Sequence, residues 1–176
     1  MSKKLKKIVI ATGGTGGHIF PAYSLAKHFI DNRIQVQITS DKRGLRYLKG
    51  YNDIKIVEIQ SSTILKKNIF QLSFSILIIF YSIFRSFIFL LFNRPSIVFG
   101  MGGYSSFPVC IAAKILRIPF IIYENNLYIG KANKYLLPLA RKIFVSNKEV
   151  EGISKKYSKK VFEIGNIIRK EILNFK

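Results

Sequence analysis

Acidic residues are scarce in this chain, tryptophan is absent and cysteine is nearly so: 9 Asp and Glu stand against 29 Lys and Arg, and Cys110 is alone among 176 residues. A lone cysteine can form no internal disulfide, which suits a reducing compartment. Two histidines and few carboxylates leave no cluster with metal-ligand spacing, so no metal is expected. The first glycine-rich stretch lacks the Lys-Ser/Thr of a P-loop and the spacing G-x-G-x-x-G. ATP hydrolysis and nicotinamide dinucleotides are therefore disfavoured, and no cofactor is expected. No nucleophile elbow, internal repeat or low-complexity linker is found. The basic residues Met1 to Lys7 run straight into a strand-like stretch, with no signal-peptide core or cleavage site between. A mature, cytoplasmic N-terminus is the expectation.

What is present is apolar and basic. Nearly half of the residues are hydrophobic, which excludes a disordered chain, and the length suits one ordinary domain. The net charge of +20 favours an anionic partner: nucleic acid, an anionic bilayer or a phosphorylated small molecule. A chain generally rich in Lys, Ile, Asn and Phe would carry the same excess without any such partner. Aromatics are not interleaved with arginine as in RNA-binding strands, so nucleic acid is not an expected partner.

Short β-branched or alternating runs predict strands at Lys7–Ala11, Ile34–Thr39, Ile54–Ile59, Ser96–Gly100, Pro119–Tyr123, Lys142–Val145 and Val161–Ile164. Helical spacing predicts helices over Ile19–Ile30, with Pro21 in the first turn, and over Pro108–Leu116, Lys131–Leu139 and Lys148–Tyr157. Strands alternating with helices imply a doubly wound α/β domain with a parallel sheet, whose ligands bind beyond the carboxyl ends of the strands.

Three loops lie at those ends. Gly13-Gly14-Thr15-Gly16-Gly17-His18 joins the first strand to a helix. Its glycines let amides approach a ligand, and the positive end of the helix favours a phosphate or diphosphate. A mere tight turn is the plainer alternative. His18 suits a phosphate oxygen or a reacting hydroxyl, or simply a hydrogen bond at the helix start; His28, mid-helix, reads as structural. Gly100-Met101-Gly102-Gly103-Tyr104-Ser105-Ser106 follows the fourth strand, and one diphosphate could bridge both glycine loops, with Tyr104 and Ser105 or Ser106 adding hydroxyl donors. Tyr123-Glu124-Asn125-Asn126 follows the fifth strand. There Glu124 is a candidate base or hydroxyl binder and the amides suit sugar hydroxyls, with an Asx-type helix cap as the alternative.

The motifs GGTGGHIFPA (Gly13 to Ala22), GMGGYSSFP (Gly100 to Pro108), YENN and GNIIR (Gly165 to Arg169), in this order, resemble the MurG family. Its members transfer N-acetylglucosamine from the UDP sugar (UDP-GlcNAc) to an undecaprenyl-diphosphate-linked muramoyl-pentapeptide. YENN and GNIIR depart from the family's HEQN and GNPVR: Tyr123 stands for His, Asn125 for Gln and Ile167 for Pro. The resemblance implies the N-terminal, Rossmann-like half of a GT-B glycosyltransferase. Residues 1–164 would form the acceptor- and membrane-binding domain, and 165–176 would begin a linker to a C-terminal donor-binding domain or subunit. It implies that Thr15, Gly16, Gly17, Asn126 and Arg169 touch UDP-GlcNAc. It implies that Gly13, Gly14, Gly102, Gly103, Tyr104 and Ser105 hold the lipid diphosphate, and that His18 and Glu124 are the catalytic candidates for an inverting displacement.

Ile69 to Phe84 carries no charge, and apolar character resumes after Arg85 to Phe92. A helix of this length approaches the thickness of a bilayer's hydrocarbon, so spanning is open. Its place between two strands instead asks for a crossover helix packed on the sheet. With Lys66, Lys67 and Arg85 nearby, the reading favoured is a helix seated on an anionic cytoplasmic leaflet; the resemblance implies a peripheral place at the cytoplasmic face of the bacterial inner membrane, and plain core is the third option. Three functions follow: the acceptor half of the transferase, a non-catalytic membrane scaffold for a donor-binding subunit, and a phosphate-binding module on nucleic acid.

Overall fold

In a computed structural model, described over residues 7–61 and 68–169, seven strands form one parallel sheet. They are β1 (Lys7–Ala11), β2 (Gln35–Ser40), β3 (Lys55–Glu58), β4 (Ile97–Gly100), β5 (Phe120–Glu124), β6 (Lys142–Val145) and β7 (Val161–Glu163), in the spatial order β3-β2-β1-β4-β5-β6-β7. The predicted strands agree to within a residue or two. Alternate side chains of β1 serve two separate cores: Val9 and Ala11 join one, Ile8 and Ile10 the other. The chain steps outward from β1 to β3, then returns beside β1 as β4 and steps outward the other way. The reversal leaves a crevice at the carboxyl ends of β1 and β4, where ligands of such sheets bind.

Helices α1 (Gly16–Asp31) and α2 (Lys42–Tyr47) follow β1 and β2; α3 (Ile69–Asn93), α4 (Ser106–Ile115) and α5 (Lys131–Leu136) follow β3, β4 and β5. Three differences from expectation have local causes. Helix α1 starts at Gly16, three residues before the apolar pattern, so Pro21 sits in its second turn. Helix α2 was not expected from KRGLRY; Asp41 creates it by capping, its carboxylate accepting from Gly44 N at 2.9 Å. No helix spans 148–157. Gly152 takes φ +86° there, a Cβ on it would meet Ile129 Cγ2 at 2.7 Å, and the chain resumes with a 3₁₀ turn over Lys155–Lys160.

The apolar stretch is one 25-residue helix, α3. Asn68 caps it, accepting from Gln71 N at 2.8 Å, and Arg94, left-handed at φ 39°, ends it just before Pro95. Its buried positions include polar ones where polarity is least expected. Ser75, Ser82 and Ser86 are buried, with Leu90, while Phe70, Phe74, Leu77, Phe80, Phe84 and Phe92 are exposed, Phe70 and Phe92 by more than 80%. Small serines let α3 lie close along α4, whose buried residues include the small Ala112 and Ala113. Lys66 and Lys67 lie outside the described residues.

Candidate functional site

The crevice between β1 and β4 brings the two glycine loops into contact. Ser105 Oγ donates to the carbonyl of Thr12 at 2.7 Å, and Met101 N donates to that of Ala11 at 2.8 Å. A Cβ on Gly103, which has φ +79°, would overlap the backbone of Gly13. A Cβ on Gly102 would lie 2.7 Å from His18 Nδ1. Glycine in the second loop thus lets protein pack on protein. Gly14 differs: φ is +85°, yet a Cβ there would meet nothing within 4 Å.

Asp41, at the end of β2, is a member of this site that sequence reasoning did not pick out. Its Oδ1 accepts from Gly14 N at 3.1 Å and Gly44 N; its Oδ2 accepts from Arg43 Nη2 at 2.9 Å and Ser61 Oγ at 2.9 Å. Burial alone would raise its pKa, but those hydrogen bonds outweigh it and hold the carboxyl below the ordinary carboxylate value. The Gly14 N–H therefore faces a carboxylate and is not free for a phosphate, and the Ser105 hydroxyl proton is likewise engaged. An Asp directly before a short amphipathic run was the available signal, as an N-cap.

At the start of α1 the amides of Gly16 and Gly17 have no intrahelical acceptors, Thr15 makes no side-chain cap, and no acidic residue lies in the first turn. Pro21 has no N–H for the carbonyl four residues before it, that of Gly17. Asn125 supplies the donor: its Nδ2 lies 2.7 Å from Gly17 O. The loop after β5 thereby braces the first turn of α1.

Glu124 is buried and surrounded by donors. Oε1 accepts from Asn126 N at 3.1 Å and Asn126 Nδ2 at 2.7 Å; Oε2 accepts from Gly130 N at 2.8 Å and Asn133 Nδ2 at 3.0 Å. It organises its loop and the start of α5. His18 and Glu124 line one small cavity of about 170 Å³, with Gly102, Gly103, Tyr104 and Lys131. Burial lowers the His18 pKa from 6.5, against the opposing charge of Glu124 and the backbone of Met101. The imidazole is thus neutral near pH 7, and its Nδ1 has no protein partner among the described residues.

Asn126 is exposed at the mouth. Arg169 stacks 4.4 Å from the centroid of Phe20 on the second turn of α1, and Phe20 meets Tyr47 edge-on. Tyr123 ties this last segment down: its hydroxyl donates to Gly165 O at 3.1 Å and accepts from Ile167 N at 3.3 Å. Burial raises its pKa, so it remains a phenol. All thirteen residues singled out from sequence lie at this end of the sheet or along the segment bound to it.

Residues 8–145 match the Glycosyltransferase family 28 N-terminal domain. A protein of Pelagibacter ubique named UDP-N-acetylglucosamine--N-acetylmuramyl-(pentapeptide) pyrophosphoryl-undecaprenol N-acetylglucosamine transferase is 34% identical over 170 residues, covering 96% of this chain and 47% of the relative. A Rickettsia canadensis protein of the same name is 35% identical, covering 97% and 47%. The crystal structure of Acinetobacter baumannii MurG superposes with a TM-score of 0.75 at 26% identity, over 94% of this chain and 47% of that one. The chain spans about half the length of the relatives it matches.

Proposed function

This chain belongs to glycosyltransferase family 28 by its N-terminal domain, and from that premise we propose that it forms the acceptor-binding half of an inverting N-acetylglucosaminyltransferase of peptidoglycan synthesis. The donor is UDP-GlcNAc and the acceptor an undecaprenyl-diphosphate-linked muramoyl-pentapeptide. The observation that carries this reading is the convergence of two glycine loops and the Glu124 loop on one crevice at the sheet's switch point.

The acceptor diphosphate lies over the open face of Gly14 and against Gly102, Gly103 and Tyr104; Gly13 and Ser105 serve by locking the loops together. The UDP sugar meets the unpaired amides of Gly16 and Gly17, with Thr15, Asn126 and Arg169 around it. His18, neutral and half-buried, takes the proton of the acceptor hydroxyl as that oxygen attacks the anomeric carbon and UDP leaves. Glu124 positions the loop and favours the imidazolium that results.

The exposed phenylalanines of α3 and the exposed Arg85 rest on the anionic cytoplasmic leaflet. Attachment from one side suits this helix better than spanning, because its other face is packed on protein with three buried serines. The 176-residue chain should bind a short-chain prenyl-diphospho-N-acetylmuramoyl peptide, and should sediment with anionic vesicles less after Phe80→Ser and Phe84→Ser and less in high salt. Vesicle binding without acceptor or UDP-GlcNAc binding would replace this reading with the scaffold; vesicle binding indifferent to both changes would remove the membrane face.

A further inference from the structure

Beside the crevice, a second cavity of about 360 Å³ opens between α3, α4 and α5. Its walls are mostly apolar, from Ile79 on α3, Phe107 and Pro108 on α4, and Ala132 and Tyr135 on α5. The volume falls within the roughly 300–1,000 Å³ usual for small-molecule sites. It exists because α5 is short, and because Ser82 of α3, buried, brings little bulk to the space facing α4. The glycine-loop chemistry uses none of Ile79, Phe107 or Tyr135.

Two features say what would fill it. The cavity adjoins the His18 cavity, since Tyr104, Lys131 and Ala132 line both. Lys131 and Lys134 stand at its edge, exposed, and no acidic side chain lines it among the described residues. An occupant matching this arrangement is anionic at the end near the glycine loops and apolar beyond. Its far end would emerge beside the aromatic stripe of α3.

We propose that this groove holds the part of a polyprenyl chain nearest the diphosphate, with Lys131 at the phosphate–lipid junction. The inference rests on the reading that the glycine loops hold a lipid-linked diphosphate. It adds that the first isoprene units are bound by protein, in a slot between three helices, and so contribute to acceptor affinity before the membrane does. Chain specificity would then reside in Ile79, Phe107 and Tyr135.

The test compares inorganic diphosphate with farnesyl diphosphate on the 176-residue chain by calorimetry, without detergent. Farnesyl diphosphate should bind at least about tenfold tighter, because burying even two methylenes contributes that much. Ile79→Trp, a half-buried position, should fill the groove and erase the difference while leaving inorganic diphosphate affinity unchanged. Equal binding of the two ligands by the parent would overturn the groove and leave the diphosphate site standing. So would a chain-dependent gain that survives Ile79→Trp. Binding of neither ligand would overturn the underlying reading, and the groove with it. A farnesyl diphosphate with a photoreactive terminal unit, used on the parent chain, gives an answer even where the variant fails to fold. Crosslinks at 79, 104–108 or 131–135 support the proposal, and crosslinks confined to the outer face of α3 refute it.

Discussion

The two glycine loops look alike in sequence and differ in what their missing side chains accomplish. In the second loop, Gly103 lies on the backbone of Gly13 and Gly102 on the ring of His18, so hydrogen is demanded by the protein itself. In the first, a Cβ on Gly13 would likewise overlap Ser105 Oγ, but Gly14 faces open space, so the room it leaves is available to a ligand. Glycine content alone therefore marks a place where chain or ligand comes close, without telling which.

The largest effect expected is at the protein-facing position. Gly103→Ala combines a left-handed backbone with an overlap on Gly13 and should cost roughly 2–5 kcal/mol of folding stability, read from urea unfolding. A loss under about 1 kcal/mol would erase the distinction between the loops. Gly14→Ala should keep more stability, losing about 1–2 kcal/mol to its φ, yet weaken diphosphate binding by about tenfold in the folded variant, because its Cβ takes the open face. Unchanged affinity there would make the first loop a structural turn.

The brace on the first loop gives a subtler comparison. Asn125→Leu leaves the water-accessible Gly17 carbonyl without its partner and should cost about 0.5–1.5 kcal/mol. In a Pro21→Ala background the restored N–H can take over that carbonyl, so the same change should cost much less. Additive losses would show that Asn125 acts elsewhere. The smallest effect is the pH response of His18. Its folded pKa lies below its unfolded one, so the unfolded chain binds more protons between the two values. Stability should be flat above about pH 7, fall as pH drops through 6.5 towards the lowered value, and level off below it. His18→Asn should remove that part of the slope in unfolding curves taken between pH 7.5 and 5.

The strands were legible because β-branched runs such as KIVIA and PFIIY are too short for helices, and the switch point followed once their spatial order was known. The loops were legible because glycines sat where strands end. The connections between them were not. Asp41 reaches Gly14 across 27 positions, Asn125 reaches Gly17 across 108 and Ser105 reaches Thr12 across 93, and one-dimensional spacing carries no trace of such partners. Helix α2 was hidden by its glycine and charges, and the false helix at 148–157 arose because periodicity outweighed a single glycine whose left-handed φ only the packing of Ile129 reveals.

In α3 the side chains that fasten the helix to the domain and those that meet its surroundings are different sets. Serines, Leu90, Phe87 and Phe89 face the protein; Phe70, Phe74, Phe80, Phe84 and Phe92 face away. Grip on an outside surface can therefore be strengthened, weakened or lost by changing residues such as Phe74 or Phe92 with little consequence for folding. On the membrane reading proposed above, attachment and architecture can drift separately along one helix.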